Sequence, residues 1–245
     1  MVYNGMQISL NKRFSSTYSF DVNYTFGKGV ATQGGDLASY ITADIGNTQD
    51  FWDAEFDRGP TEDDVRHRLT ATTIYELPLL ESRGALVKGV LGGWQISGIL
   101  TARTGQVLSI TQPSGIPSSR PDMTSGVDLV IPNWEDTCDS TGCNYLNPAA
   151  FALVPVSSAT NATLRPGTYM VGDARGPALW NLHATMAKNF ALGSGRRLQV
   201  RIDAFNALNK KNWNDPSTAV NASDFGRIRG AGGSRAIQVG ARLTF

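Results

Sequence analysis

Tyr18-Ser19-Phe20-Asp21-Val22-Asn23-Tyr24-Thr25-Phe26 alternates without a break, with aromatic or branched side chains at the even positions and small or polar ones at the odd. A period of two puts the two sets on opposite faces of an extended strand. Only Ser15 and Ser16 separate this run from an earlier one, Gly5 to Phe14, in which Met6, Ile8, Leu10 and Phe14 share a parity with Lys12. The pair reads as a hairpin. Five further runs follow the same rule: His67–Leu77, Gly93–Thr104, Leu179–Phe190, Arg197–Leu208 and Ile237–Phe245. Ile74 and Ile99 are the exceptions, apolar residues on the polar side of their strands. The count is seven strands of roughly 10 to 12 residues, the length a tilted strand needs to cross a bilayer.

The connections carry as much information as the strands. Joins one to two, three to four and five to six are short, whereas the others are long and cover residues 28–66, 105–178 and 209–234. Short turns on one side and long loops on the other is the asymmetry of outer-membrane barrels, with the short side periplasmic. The fold expected is therefore all-β, an antiparallel transmembrane barrel domain over residues 1–245 in the cell outer membrane, surrounded by outer-membrane lipid. The last strand follows a long outer loop and must end at the periplasmic edge, at Phe245. By the same count Phe14, Tyr18, Tyr75, Trp94 and Phe190 lie near the lower edge of the apolar band, and Tyr24, Phe26 and Trp180 near the upper. Those are the two levels at which aromatic girdles sit. Mean hydropathy of −0.20 does not oppose this, because only alternate residues of a barrel strand meet lipid.

The polar parity carries Arg13, Asp21, Arg68, Glu76, Arg103, Arg201, Asp203 and Arg242. On the lipid face an arginine costs about 2–4 kcal/mol at the bilayer midplane, so these charges mark the lumen. Twenty-two basic against 21 acidic residues, with no concentrated basic face, argue against a nucleic-acid partner. Cys138 and Cys143 flank Asp139-Ser140-Thr141-Gly142, a spacing that suits a small disulfide loop in an oxidising compartment. Two unpaired surface thiols are the plainer alternative, and a metal site is weaker still because only His67 and His183 exist to complete it.

Catalytic features are few. His67 next to Asp64 has no nucleophile arranged with it and reads as a polar residue at the outer mouth of a strand; His183 faces the lumen. Gly226 and Gly230-Ala231-Gly232-Gly233 precede no helix and no phosphate-binding lysine, and read as a flexible passage into the last strand. Glu62, Asp63 and Asp64 do not have the spacing of a calcium loop and read as solvated outer loop. Neither an enzyme nor a cofactor is expected.

Several stretches taken together resemble a known family. They are Tyr3-Asn4-Gly5-Met6-Gln7 with Lys12-Arg13-Phe14, Tyr24-Thr25-Phe26-Gly27-Lys28, and Asp57-Arg58-Gly59-Pro60. Asp64-Val65-Arg66-His67-Arg68, Tyr75-Glu76-Leu77-Pro78, and Gly92-Gly93-Trp94-Gln95-Ile96-Ser97-Gly98 with Thr104-Gly105-Gln106 follow. Gly172-Asp173-Ala174-Arg175-Gly176-Pro177, Lys188-Asn189-Phe190 and Phe205-Asn206-Ala207-Leu208-Asn209 complete the set. In this order they resemble the Oar-like TonB-dependent receptors, whose N-terminus carries a carboxypeptidase-regulatory-like domain. The resemblance implies a barrel of about 22 strands closed around a plug and energised by the TonB complex. It also implies that Phe245 resembles the terminal signal read by the barrel-assembly machinery. Signal peptide, plug, TonB box and regulatory-like domain are not in this sequence, and an odd strand number suits a C-terminal fragment with about seven of the strands. The function expected is uptake of a bulky nutrient, a carbohydrate, peptide or metal chelate, with the loops at 28–66 and 105–178 forming the outer binding surface. The alternative is a structural or adhesion role, with Trp52, Trp134 and the cysteine loop contacting surfaces or partners. A soluble β-sandwich module fits neither the loop asymmetry nor the girdles.

Overall fold

A computed structural model describes residues 1–15, 17–32, 53–61, 63–77, 92–113, 119–193 and 195–245. Seven long strands form one antiparallel sheet: β1 (Val2–Ser15), β2 (Tyr18–Ala31), β3 (His67–Glu76), β4 (Trp94–Arg103), β5 (Leu179–Gly193), β6 (Arg196–Phe205) and β7 (Ala236–Thr244). They pair strictly in chain order, each with its sequence neighbours. Among the described residues β1 and β7 pair on one side only, so the wall is an open arc.

The register joins the alternating faces of the strands into two continuous surfaces. Ile8 opposes Tyr24, Tyr24 opposes Leu69, Leu69 opposes Ala102, and Ala102 opposes Trp180. Nearer the other edge Tyr18, Tyr75, Ile96, Met186, Ile202 and Val239 form another such row. A slip of one residue would carry polar side chains into this face, arginines among them in β3, β4, β6 and β7, which is why register is so strongly specified. Many large members are substantially exposed, among them Ile8, Leu10, Ile96, Met186 and Val239. An apolar surface of this extent has no place in water and matches a lipid environment.

Packed apolar side chains are found elsewhere. Among the described residues, Ala187 is the one buried apolar residue in a long strand, and the rest come from the segments between strands. Leu108, Ile110, Tyr145, Leu146, Phe151, Tyr169, Phe225 and Ile228 form one cluster, flanked by Trp134 and Trp213. Two-residue strands staple the segments together: Asp122–Met123 pairs with Phe151–Ala152, Cys143–Asn144 with Arg227–Ile228, and Asn212–Trp213 with Ala231–Gly232. The described residues of the loops 104–178 and 206–235 thus fold as one cap at the outer end of the sheet, with a hydrophobic core that alternation does not disclose.

The expected joins need one correction. The connection from β3 to β4 runs from residue 77 to 93 and is no tight turn, although it remains shorter than the outer segments 32–66, 104–178 and 206–235. Residues 78–91 of it lie outside the described residues. By contrast β5 and β6 are joined by a hairpin in which Gly193 and Gly195 take φ of 79° and 78°, values that favour glycine.

Candidate solute-facing surface

On the polar face, Thr25, Arg68, Arg103 and Leu179 form the outermost row, and Asn23, Thr70, Thr101 and Asn181 the next. Farther down, Asp203 accepts from Thr185 Oγ1 at 2.7 Å and pairs with Arg201 at 3.1 Å, while Gln199 Nε2 donates to Asn189 Oδ1 at 3.0 Å. Asn23 accepts from Ser9 Oγ at 2.6 Å and donates to Asp21. Glu76 faces Gln95 and Arg242 faces Gln199 in register, so both stand on this side. Arg13 falls in the register shift between Lys12 and Ser15, where the pairing no longer assigns its face. Ile99 sits in the polar row between Thr72 and His183, and His183 Nδ1 accepts the Asn206 N–H at 3.3 Å.

Two aromatic levels border the apolar face. Tyr18 and Tyr75 meet edge to face with ring centroids 6.1 Å apart, and Trp94 and Phe190 lie at the same end. Lys188 shares the apolar parity there, is buried, donates to Gly92 O and stands over the Trp94 and Phe190 rings at 5.4 and 5.3 Å. Lys12 similarly covers Tyr18 at 5.5 Å. Both lysines keep their stems among aromatics at the rim, as amphipathic side chains do at a membrane boundary. At the other end Tyr24 and Phe26 bracket His67, whose Nδ1 lies 2.7 Å from the Tyr24 hydroxyl. Trp180 stands at that level too, opposite Ala102. The side chain of Phe14 and the whole of Trp52 and Glu62 lie outside the described residues, and Phe245 extends beyond β7, 92% exposed.

The cap is tied to the rim by charge. Asp64 is buried, receives the Gly29 N–H at 3.0 Å, and is clamped by Arg175 at 2.5 Å and Arg66 at 3.1 Å; Arg175 also donates to Asp64 O. The expectation of a solvated acidic loop is thus corrected at Asp64, because two guanidiniums and a backbone amide replace its water. Burial pushes the Asp64 carboxyl up, but the Arg175 bond, the Gly29 amide and Arg66 outweigh it and hold it below the ordinary carboxylate range. A second buried pair joins Arg120 to Asp57 at 2.7 Å, with Arg120 also donating to Phe56 O. Inside the cap Tyr169 donates to Leu108 O and Tyr145 to Arg175 O, each at 2.7 Å, and burial pushes the Tyr145 phenol up to about 12. Cys138 and Cys143 are disulfide-bonded, with Trp134 beside them in the one-turn 3-10 helix Trp134–Thr137. Gly226, read as part of a flexible passage, instead takes φ 75° with its carbonyl accepting from Tyr145 and Leu146.

Between rim and cap lies a cleft of about 410 Å³ lined by Arg68, Thr70, Thr101, Arg103, Asn181 and Asn212, among others. A second of about 430 Å³ shares Arg103, Leu179 and Asn212 and reaches Trp213 and Asp215. Burial pushes the Asp215 carboxyl up, opposed by the charge of Arg103. Of the lumenal charges, Arg68 and Arg103 therefore belong to one site, while Arg201, Asp203 and Arg242 form a separate patch. Asn181, Asn212 and Asp215 were not singled out from the sequence; Asn181 at least was visible there, as a polar-parity residue of β5. Among the described residues no group of acidic, histidine or cysteine side chains is placed to hold a metal ion.

No curated protein matches this chain. A family model described as "Outer membrane beta barrel domain" matches residues 1–238. The match covers the first six long strands and the start of β7, and agrees with a seven-strand wall that is apolar outside, polar inside and capped on the long-loop side. The chain belongs to the outer membrane beta barrel domain family and is a barrel protein of the cell outer membrane.

Proposed function

We propose that this chain forms part of the wall and outer cap of an Oar-like TonB-dependent receptor that takes up a bulky nutrient, and that it has no enzymatic activity of its own. The observation that supports uptake best is the polar, arginine-bearing inner face that ends beneath a folded cap and opens there into two clefts that share lining residues. A wall that served only as an anchor has no need of a cleft at that level. In this reading further strands complete the arc at the free edges of β1 and β7, because an open edge is unstable in lipid. A plug fills the lumen, the TonB complex supplies the energy through it, and Phe245 addresses the assembly machinery. An adhesion role draws its support from Leu153 and Leu164, large apolar side chains exposed on the cap at 55% and 68%.

Growth of the native host on single bulky nutrients, with the gene deleted, restored, or restored in cells lacking TonB, tests the proposal. Uptake predicts a nutrient on which growth needs both the gene and TonB. Growth unchanged on every nutrient, with loss of surface attachment, would favour adhesion instead.

A further inference from the structure

Arg68 and Arg103 are direct partners in the register of β3 and β4, on the same face as Thr70 and Thr101. Like charges placed opposite one another destabilise a sheet. Among the described residues neither guanidinium forms a hydrogen bond or an ion pair, and neither has an interaction beyond those already given. The carboxyl that acts on Arg103 is that of Asp215, which does not come within ion-pair distance. Two forked donors side by side over a cleft match the oxygens of a carboxylate or phosphate.

A second observation comes from the next row. Asn181 Oδ1 is buried in the wall of the same cleft and has no hydrogen-bond partner. An orphaned acceptor of this kind destabilises the fold unless a donor arrives. Asn212, whose oxygen is held by the Trp180 N–H at 3.1 Å, lines the cleft as well. We propose that the outer end of the lumenal face binds a hydroxylated organic anion, a sugar acid or sugar phosphate, whose acid group bridges Arg68 and Arg103 and whose neighbouring hydroxyl donates to Asn181 Oδ1 once that side chain turns from the wall into the cleft. The cleft volume of about 410 Å³ admits one such residue. The inference rests on the uptake reading for its physiological meaning, but binding is measured without energy coupling.

The test is calorimetric titration of the complete barrel that contains this chain, extracted in detergent micelles, with glucuronate, glucose 6-phosphate, inorganic phosphate and neutral glucose. Both sugar anions are expected to bind and glucose not; the ratio of the two affinities tells a carboxylate source from a phosphate source. Arg68→Gln and Arg103→Gln should each weaken sugar-anion binding about tenfold or more, Asn181→Ala should weaken it while sparing inorganic phosphate, and Arg242→Gln should change nothing. Should an arginine variant not fold, the wild-type chain still decides: glucuronate, but not glucose, raises its unfolding temperature. Binding of glucose equal to that of glucuronate, absence of anion binding, or unchanged affinity in Arg103→Gln overturns the site; indifference of Asn181→Ala overturns the hydroxyl contact. TonB-dependent uptake of a neutral solute without anion binding would sink this site alone, and anion binding without any uptake would sink the transport reading alone.

Discussion

Arg120 and Asp57 show what single residues contribute to the cap. Both are buried and their side chains meet at 2.7 Å, so removing one takes from the other an opposite charge in direct contact with it. Asp57→Ala is expected to destabilise the cap by about 3–5 kcal/mol, read as a lower denaturant midpoint in the fluorescence of Trp134 and Trp213. Asp64 makes the cap sensitive to acid. Its folded carboxyl sits below the ordinary value, so its contribution is complete above the unfolded value of 3.8 and is lost as pH falls through the folded one. Cap stability should therefore fall below about pH 4, and Asp64→Asn should be weaker at neutral pH and lose less on acidification. A variant as acid-sensitive as wild type would assign the effect elsewhere. Gly105 is a third such position: a Cβ there would lie 1.7 Å from Gly176 O, so Gly105→Ala must push the two segments apart.

At the scale of elements, all seven long strands were legible from alternation, and their ends differ from expectation by a few residues. Alternation is local, and in a wall with lipid on one side and water on the other nothing competes with it. β2 continues to Ala31, beyond the expected Gly27, because Lys28, Gly29 and Val30 pair with Asn4, Tyr3 and Val2 of β1, and Val30 and Ala31 pair with Pro60 and Gly59, some thirty residues away. The place of Lys188 on the apolar face is not legible in the sequence, since a charge on that parity contradicts the pattern unless it lies at the rim, and depth is not written in periodicity. The two faces predict opposite responses. Leu100→Arg, between Ala71 and Leu182, should cost about 2–4 kcal/mol and block assembly, whereas Thr101→Arg, one residue along, should assemble. Heat-modifiable migration in gels reads the difference, and equal behaviour would reverse the assignment of faces.

For the whole molecule, the sheet depends on lipid and the cap on its own buried cluster, so the two should unfold separately. Reducing the Cys138–Cys143 bond, which closes a loop with sequence separation 5, should lower the cap transition by about 2 kcal/mol and leave the sheet transition in place. A single transition that moves as one would show that the cap has no independent stability. The cap was the part least legible in the sequence. Asp64 and Arg175 were each noticed, yet 111 residues separate them, and no local pattern announces a pairing over that distance. Tyr145, Phe151 and Tyr169 were similarly visible as apolar residues in a stretch without alternation, which in retrospect marks a packed loop.

A loop with a core cannot drift as an unstructured one does. Surface segments ordinarily accept insertions and replacements because little in them is buried. Here a change at Ile110, Leu146 or Ile228 disturbs partners contributed by several distant segments, so the outer face can diversify freely only at its exposed positions, such as Leu153, Val156 and Leu164. Pressure from phage or antibody would be answered at those exposed positions, and variants that escape it should fall there rather than among the buried residues of the segment.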